Sequence, residues 1–159
     1  MSDGTGVEKH VFKAALNYLS RRDHTRAELS AKLRKKGFEA SAVNDALERC
    51  TAFSYLDDEK TAGGIYRHFA SSGYGVHRIR MEMKKKGVDA RLIERVIQEK
   101  HDEESELARA RRMFRKKQAG LAREKDKRKK REKTWRYLYN RGFSGDIIAR
   151  LIGRDADME

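Results

Sequence analysis

The sequence predicts an all-α protein made of three tandem three-helix repeats, and three observations carry that reading. No proline occurs in the 159 residues. Apolar residues recur at three- and four-residue intervals, with almost no alternating runs rich in β-branched residues, so the helical period dominates. One pattern also occurs three times, around Gly37, Gly87 and Gly142, each preceded by a base (Lys36, Lys86, Arg141) and followed by an apolar residue (Phe38, Val88, Phe143). Leu33, Met83 and Leu138 lie four residues upstream. Ala42-Val43, Leu92-Ile93 and Ile147-Ile148 begin five residues downstream, and Ala46-Leu47, Val96-Ile97 and Leu151-Ile152 nine. The origins are 50 and 55 residues apart, a period that suits stacked helical units.

Each step reads as a helix, a sharp stop and a second helix. Glycine enters the left-handed backbone region without steric cost, and the apolar residue after it folds back on the helix just left. A base before the glycine suits the negative end of the helix dipole. Two residues past each glycine, Glu39, Asp89 and Ser144 stand where a capping acceptor is wanted; Asp89 and Ser144 are good caps, Glu39 a poorer one.

Residues 1–10 are expected to form a disordered leader, since Met1 to Glu8 carry two glycines and no apolar cluster. The first repeat is placed at 11–56. Val11, Ala15, Tyr18 and Leu19 mark its first helix, ending near Ser20; Thr25 and Glu28 form a capping box that opens a second helix to Lys36; the third runs from about Ser41 to Ala52. The second repeat, 57–101, follows Tyr55-Leu56-Asp57-Asp58, where an aspartate caps the helix carrying Ile65, Tyr66 and Phe69. Gly73-Tyr74-Gly75 reads as a flexible turn into the helix of Val76, Ile79 and Met83, and a third helix runs from Asp89 to about Lys100.

The third repeat, 102–153, starts with Leu107, Ala110, Met113 and Phe114 and is longer. From the last aromatic or leucine of the first helix to the glycine takes 18 residues in the first two repeats and 28 in the third. The added length is basic, an insertion at about 116–133. Residues 154–159 form a polar tail.

Charged residues make up 40% of the chain, so most helix faces are wet, and the net charge of +13 implies a polyanionic partner or an acidic protein surface. Arg109 to Lys133 holds 14 Lys and Arg against three acids, which is +11 of that total. A single cysteine excludes an internal disulfide. No apolar run is long enough to span a membrane, and the first residues lack the basic start and apolar core of a signal peptide. A cytoplasmic monomer is the expectation.

The candidate binding residues are bases. In the insertion they are Arg115, Lys116, Lys117, Lys127, Arg128, Lys129, Lys130 and Arg131, a clustered run of the kind that contacts phosphate without reading sequence. Arg78, Arg80, Lys84 and Lys85 lie off the apolar stripe of Val76, Ile79 and Met83; Arg21, Arg22, Arg26, Arg34 and Lys35 are the analogous set in the first repeat. No catalytic, cofactor or metal constellation is visible. Asp57-Asp58-Glu59 is better explained by capping, the five histidines lack ligand spacing, and Gly73-Tyr74-Gly75 lacks the glycines and preceding strand of a phosphate loop. Cys50 continues the stripe of Val43 and Leu47 and is expected in the core. Trp135, near Leu138, is expected to pack between helices rather than stack on a base.

Ala27-Glu28-Leu29 with Lys36-Gly37-Phe38, Tyr55-Leu56-Asp57-Asp58, Gly73-Tyr74-Gly75-Val76-His77-Arg78-Ile79-Arg80 with Lys86-Gly87-Val88, and Arg141-Gly142-Phe143 occur in this order. The set resembles the RecX family of recombination regulators from about Val11 to Gly153. The resemblance implies three tandem three-helix repeats in an elongated, curved array and no enzymatic activity. It also implies a partner, the RecA recombinase filament, whose ATP hydrolysis, strand exchange and co-protease function such proteins restrain in DNA repair, recombination and the SOS response. Contact with single- and double-stranded DNA, independent of sequence, is part of that expectation. Val76 stands where family members often have proline, and the basic stretch from Lys125 to Arg131 lies outside the family pattern. The competing reading is a general helical DNA-binding module that grips phosphate without RecA. A nuclease is disfavoured because the acids lie at helix starts rather than in a converging set.

Overall fold

The structure, a computed structural model, describes residues 3–156. Among them are nine helices and no strand: α1 (Asp3–Leu19), α2 (Arg26–Lys35), α3 (Ala40–Ala52), α4 (Asp58–Ser71), α5 (Val76–Lys85), α6 (Ala90–Lys100), α7 (Glu103–Gly120), α8 (Lys127–Asn140) and α9 (Gly145–Ala156). They fall into three sets of three. The expected disordered leader is corrected from Asp3 onward, where α1 already begins; Met1 and Ser2 lie outside the described residues. Once α1 is nucleated by its packed end, each further turn adds backbone hydrogen bonds, and the glycines cost too little to stop it. The expected polar tail likewise starts inside α9, which continues to Ala156, while residues 157–159 are not described.

The three glycine steps share one geometry. Gly37, Gly87 and Gly142 have φ of +95°, +73° and +87°. The next N–H returns to the carbonyl five residues back, Phe38 to Leu33 (3.4 Å), Val88 to Met83 (3.1 Å) and Phe143 to Leu138 (3.3 Å), which closes a Schellman motif each time. Downstream, the Asp89 carboxylate accepts from the N–H of Arg91 and Leu92, and the Ser144 hydroxyl from Ile147, whereas Glu39 makes no side-chain cap. The predicted capping box is formed: Thr25 accepts from Glu28 N–H at 3.1 Å, and Glu28 accepts from Thr25 N–H at 3.0 Å.

Two compact units divide the described residues, the first running through Gly64 and taking in Met83–Ile93, the second made of Ile65–Glu82 and the part from Glu94 onward. In the first unit, Val11 and Ala15 of α1, Leu29 and Leu33 of α2, and Val43, Leu47 and Cys50 of α3 are all at most 1% exposed. Each valine or leucine in that set contributes about 1.5–3 kcal/mol through burial. Leu56 closes this core, Asp57 caps α4 through Lys60 N–H (3.1 Å), and Asp58 accepts from Arg26 N–H (2.7 Å), so the Tyr55-Leu56-Asp57-Asp58 stretch ties α4 to the start of α2. In the second unit, Ala110, Met113 and Phe114 of α7 pack with Leu138 of α8, Phe143, and Ile147, Ile148, Leu151 and Ile152 of α9.

A joint between adjacent repeats lies within each unit. In the first, the Lys86-Gly87 step abuts the start of α2. The Thr25 hydroxyl donates to the Lys86 carbonyl, the Lys86 ammonium reaches Glu28 at 3.2 Å, and a methyl added at Gly87 would overlap the Ala27 side chain. In the second, the Arg141-Gly142 step abuts the start of α5. Gly75 N–H donates to the Arg141 carbonyl (2.9 Å) and His77 N–H to the Gly142 carbonyl (3.2 Å). The Arg141 guanidinium donates to the carbonyls of Ser72 (3.2 Å) and Gly73 (3.3 Å) and lies over the rings of Tyr74 and Tyr137. Gly73-Tyr74-Gly75 is therefore not the flexible turn expected. Gly73 closes a fourth Schellman motif (φ +82°, Tyr74 N–H to Phe69 carbonyl, 3.0 Å), and a methyl at Gly75 would meet the Gly142 backbone.

Candidate nucleic-acid interface

The basic insertion is an interrupted helix pair rather than one helix. α7 ends at Gly120, residues 121–126 form the connection, and α8 starts at Lys127 with Asp126 as its cap, accepting from Lys129 N–H at 3.1 Å. Arg115 and Lys116 are exposed on the last turns of α7, and Lys117 sits half-buried with its ammonium 5.1 Å from the Tyr137 ring centre. Lys127, Arg128, Lys129 and Arg131 are exposed and Lys130 half-buried in the first turns of α8. No acid lies in that first turn. A helix start already carries about half a positive charge, so five cations there oppose helix stability by sign. Such an arrangement is favourable only toward an anion.

Local acids restrain part of this charge. Glu124 holds Lys133 at 2.6 Å, and that hydrogen bond keeps the Glu124 carboxyl below its usual range. Arg128, 88% exposed, pairs with Glu132 at 3.1 Å. Exposed pairs of this kind are weak, being screened by solvent and salt, and give way to a multivalent polyanion.

On α5, Arg80 forks onto Glu94 (2.8 and 3.2 Å), Arg78 lies 2.9 Å from Glu82 and over the Tyr74 ring, and Lys84 and Lys85 are exposed in the last turn. In the first repeat, Arg21, Arg34 and Lys35 are exposed, and Arg26 pairs with Glu48 at 2.8 Å. Arg22 donates to both Glu28 oxygens (3.0 and 3.4 Å). Burial pushes the Glu28 pKa up, but hydrogen bonds from Arg22, the Thr25 N–H and Lys86 outweigh it and hold the carboxyl at about 2. Arg22 is thus a clamp on the first joint more than a surface cation. Its partner lies across a turn, in a spacing that helix-face counting does not reveal.

Trp135 is placed differently from expectation. It is 42% exposed rather than packed in the core, with one edge of its indole beside Gly145 at the start of α9. With Tyr139, 63% exposed, it lines a groove of about 600 Å³ between α8 and α9, together with Arg131, Arg136 and Ile152. The signal was present as the four-residue spacing of Arg131, Trp135 and Tyr139, which puts them on one row of a helix that Leu138 turns inward.

Cys50 is fully buried, as expected, and burial raises its thiol pKa. Among the described residues no three His, Cys, Asp or Glu side chains are placed to hold a metal ion, and no helix is long and apolar enough to cross a membrane.

Comparison with known proteins fits this geometry repeat by repeat. Family models described as the first, second and third three-helix domains of RecX match residues 12–50, 57–97 and 103–152, together most of the chain. The chain belongs to the RecX family. Regulatory protein RecX of Haemophilus influenzae is 34% identical over 146 residues, covering 91% of this chain and 94% of that protein. Its counterpart from Vibrio campbellii is 38% identical over 137 residues, covering 86% of each. The crystal structure of RecX from Lactobacillus salivarius superposes with a TM-score of 0.82 over 98% of this chain and 99% of the other, at 24% identity. In RecX terms, the basic helix pair and the Trp135 groove both lie within the third three-helix domain.

Proposed function

We propose that this chain is a non-enzymatic regulator of homologous recombination, a cytoplasmic monomer that binds the RecA–DNA filament and restrains RecA's ATP hydrolysis, strand exchange and co-protease activity. Family membership supports the partner, and one observation supports the mode of contact: the α7–α8 pair concentrates 14 bases against three acids between Arg109 and Lys133. The exposed cations Arg34 and Lys84 add basic positions in the first two repeats. Neutralising about five phosphates of duplex DNA would release counterions and make log K fall with log salt at a slope near −4.5. Such contact is blind to sequence, as a regulator acting anywhere along a filament requires. Regulation follows if the bound protein favours one filament state, because a ligand shifts an equilibrium only by its difference in affinity for the two states.

The test is RecA ATPase on single-stranded DNA, at a salt concentration where this protein no longer binds naked DNA. Inhibition well below one molecule per RecA subunit is expected. Inhibition that only follows occupancy of naked DNA would instead favour a phosphate-gripping module acting without RecA. Reversing the charge of Lys127 to Arg131 is expected to weaken association while the circular dichroism spectrum keeps its helical signal.

A further inference from the structure

We infer that the groove between α8 and α9 is a base-stacking site for single-stranded nucleic acid, with Trp135 and Tyr139 as platforms and Arg131 and Arg136 as phosphate contacts. This deepens the proposed function by naming which part of a nucleoprotein the third repeat touches.

The argument starts from register. Counting back 11, 7 and 3 residues from the glycine of each step gives Arg26, Ser30 and Arg34 in the first repeat, Val76, Arg80 and Lys84 in the second, and Arg131, Trp135 and Tyr139 in the third. These positions form one row along the second helix of each repeat, advancing about 6 Å per side chain. The last two positions of the row are Ser30 and Arg34 in the first repeat and Arg80 and Lys84 in the second, whereas the third places an aromatic at each. Both are exposed, 42% and 63%, although burying them in the adjacent α7–α9 core would have been favourable.

The groove's chemistry selects the ligand. Its floor is the indole, the Tyr139 ring and Ile152; its basic walls are Arg131 and Arg136, neither of which makes an ion pair among the described residues. The acid lining the groove, Glu132, is held by Arg128 at 3.1 Å. Lys127 to Lys130 continue the positive surface up the same helix. Aromatic faces between cations match a strand whose bases are free to stack and whose phosphates follow; a duplex hides the faces of its bases. One edge of the indole lies beside Gly145 and both platforms stand on a formed helix, which limits the ordering that binding requires.

Trp135 is the only tryptophan in the chain, so its emission reports on the site directly. Titrating the full protein with an oligothymidylate, without recombinase, is expected to quench that emission to saturation. Inorganic polyphosphate, which offers charge and no bases, is expected to bind without comparable quenching; equal quenching by both overturns the proposal. In anisotropy measurements with a labelled oligothymidylate, Trp135→Ala is expected to bind about 5- to 150-fold more weakly, the range for one lost stacked base. Trp135→Phe should recover most of this, and the salt dependence should stay unchanged. Tyr139→Ala, at the more exposed position, gives a second variant in which the fold is not at issue.

Oligonucleotide binding by Trp135→Ala equal to that of the unmodified protein sinks the proposal and leaves the filament reading intact. Unchanged oligonucleotide binding with loss of RecA ATPase inhibition would identify the groove as a seat for a protein segment, which also overturns it. Weakened oligonucleotide binding in a protein that never inhibits RecA would sustain the stacking site while removing the filament reading.

Discussion

The two inter-repeat joints are the same device built with different chemistry. Thr25 and Gly75 each stand 12 residues before a step glycine, and each meets the base of the next repeat's step, Lys86 or Arg141, through that base's carbonyl. Around that shared contact the first joint is ionic, with Glu28 gathering Arg22 and Lys86. The second is built on a stacked guanidinium between Tyr74 and Tyr137 and on backbone carbonyls. What the two have in common is set by backbone that only glycine supplies. The side chains around it are free to differ, so a conserved-looking basic-Gly-apolar step hides two kinds of adhesion.

Substituting the step glycines separates the shared part from the local one, and gives the largest effects. All three have positive φ, so alanine costs about 1–2 kcal/mol at each from backbone strain alone. At Gly37 nothing surrounds the added methyl, and that is the whole expected loss. At Gly142 the methyl meets the Arg78 backbone, which cannot turn aside, so Gly142→Ala should destabilise by about 3 kcal/mol or more in urea unfolding. Gly87→Ala falls between, because its obstacle is the Ala27 side chain. Ala27→Gly in the same chain should recover most of the excess. Equal losses at all three glycines would mean that the steps are isolated turns and not joints.

Acid sharpens the comparison next. Glu28→Gln removes the ionic centre of the first joint and is expected to cost about 1.5–3 kcal/mol near neutral pH, the range for hydrogen bonds to a charged group. Because the folded pKa of Glu28 is depressed from 4.5 to about 2, its contribution is present above 4.5 and is lost as pH falls toward 2. The stability gap between the variant and the unmodified protein should therefore close across that window. His24 precedes it. Burial lowers its pKa from 6.5, so it favours folding above 6.5 and ceases to do so as pH drops through its folded value. A gap that stays constant from pH 6 to 2 would place the ionic character elsewhere.

The second joint is probed by shape rather than charge. Arg141→Lys keeps the positive charge and loses the planar stack and the paired donors to Ser72 and Gly73, for an expected cost of about 1 kcal/mol. Lys86→Arg, at the equivalent position of the first joint, should be close to neutral because Glu28 accepts either cation. A reversed ranking in thermal unfolding would exchange the two descriptions.

Much of this was legible in sequence because it is local. The glycine stops, the Thr25–Glu28 box, the Asp89 and Ser144 caps and the burial of Cys50 all follow from neighbours within about one turn. The joints were not legible, since Thr25 meets Lys86 and Gly75 meets Arg141 across 61 and 66 residues. For the same reason the pairing of Arg26 with Glu48 and of Arg80 with Glu94, each on the following helix, was not legible; both arginines stay partly exposed. The break in the basic insertion is an intermediate case. Gly120 and Asp126 are local stop and start signals, yet a dense run of lysine and arginine, all good helix formers, masks them. Trp135 departs from the expectation because a stripe rule counts aromatics as core, whereas its row faces the groove between α8 and α9.

The smallest expected effect contrasts α2 with α8. Both have a side-chain cap three residues before a second group, Thr25 with Glu28 and Asp126 with Lys129. In α2 the glutamate completes the box and suits the helix dipole; in α8 a lysine stands there and opposes it. Lys129→Glu should therefore stabilise the protein by about 0.5 kcal/mol, since a charge of the favourable sign in a first turn contributes in the range of 0.3–1 kcal/mol. The same change should weaken DNA binding and lower the salt slope by about one phosphate's worth, roughly 0.9. Both shifts together would show that the third repeat gives up helix stability for contact with a polyanion. A stabilised variant with unaltered DNA affinity would show instead that this end of α8 faces away from the ligand.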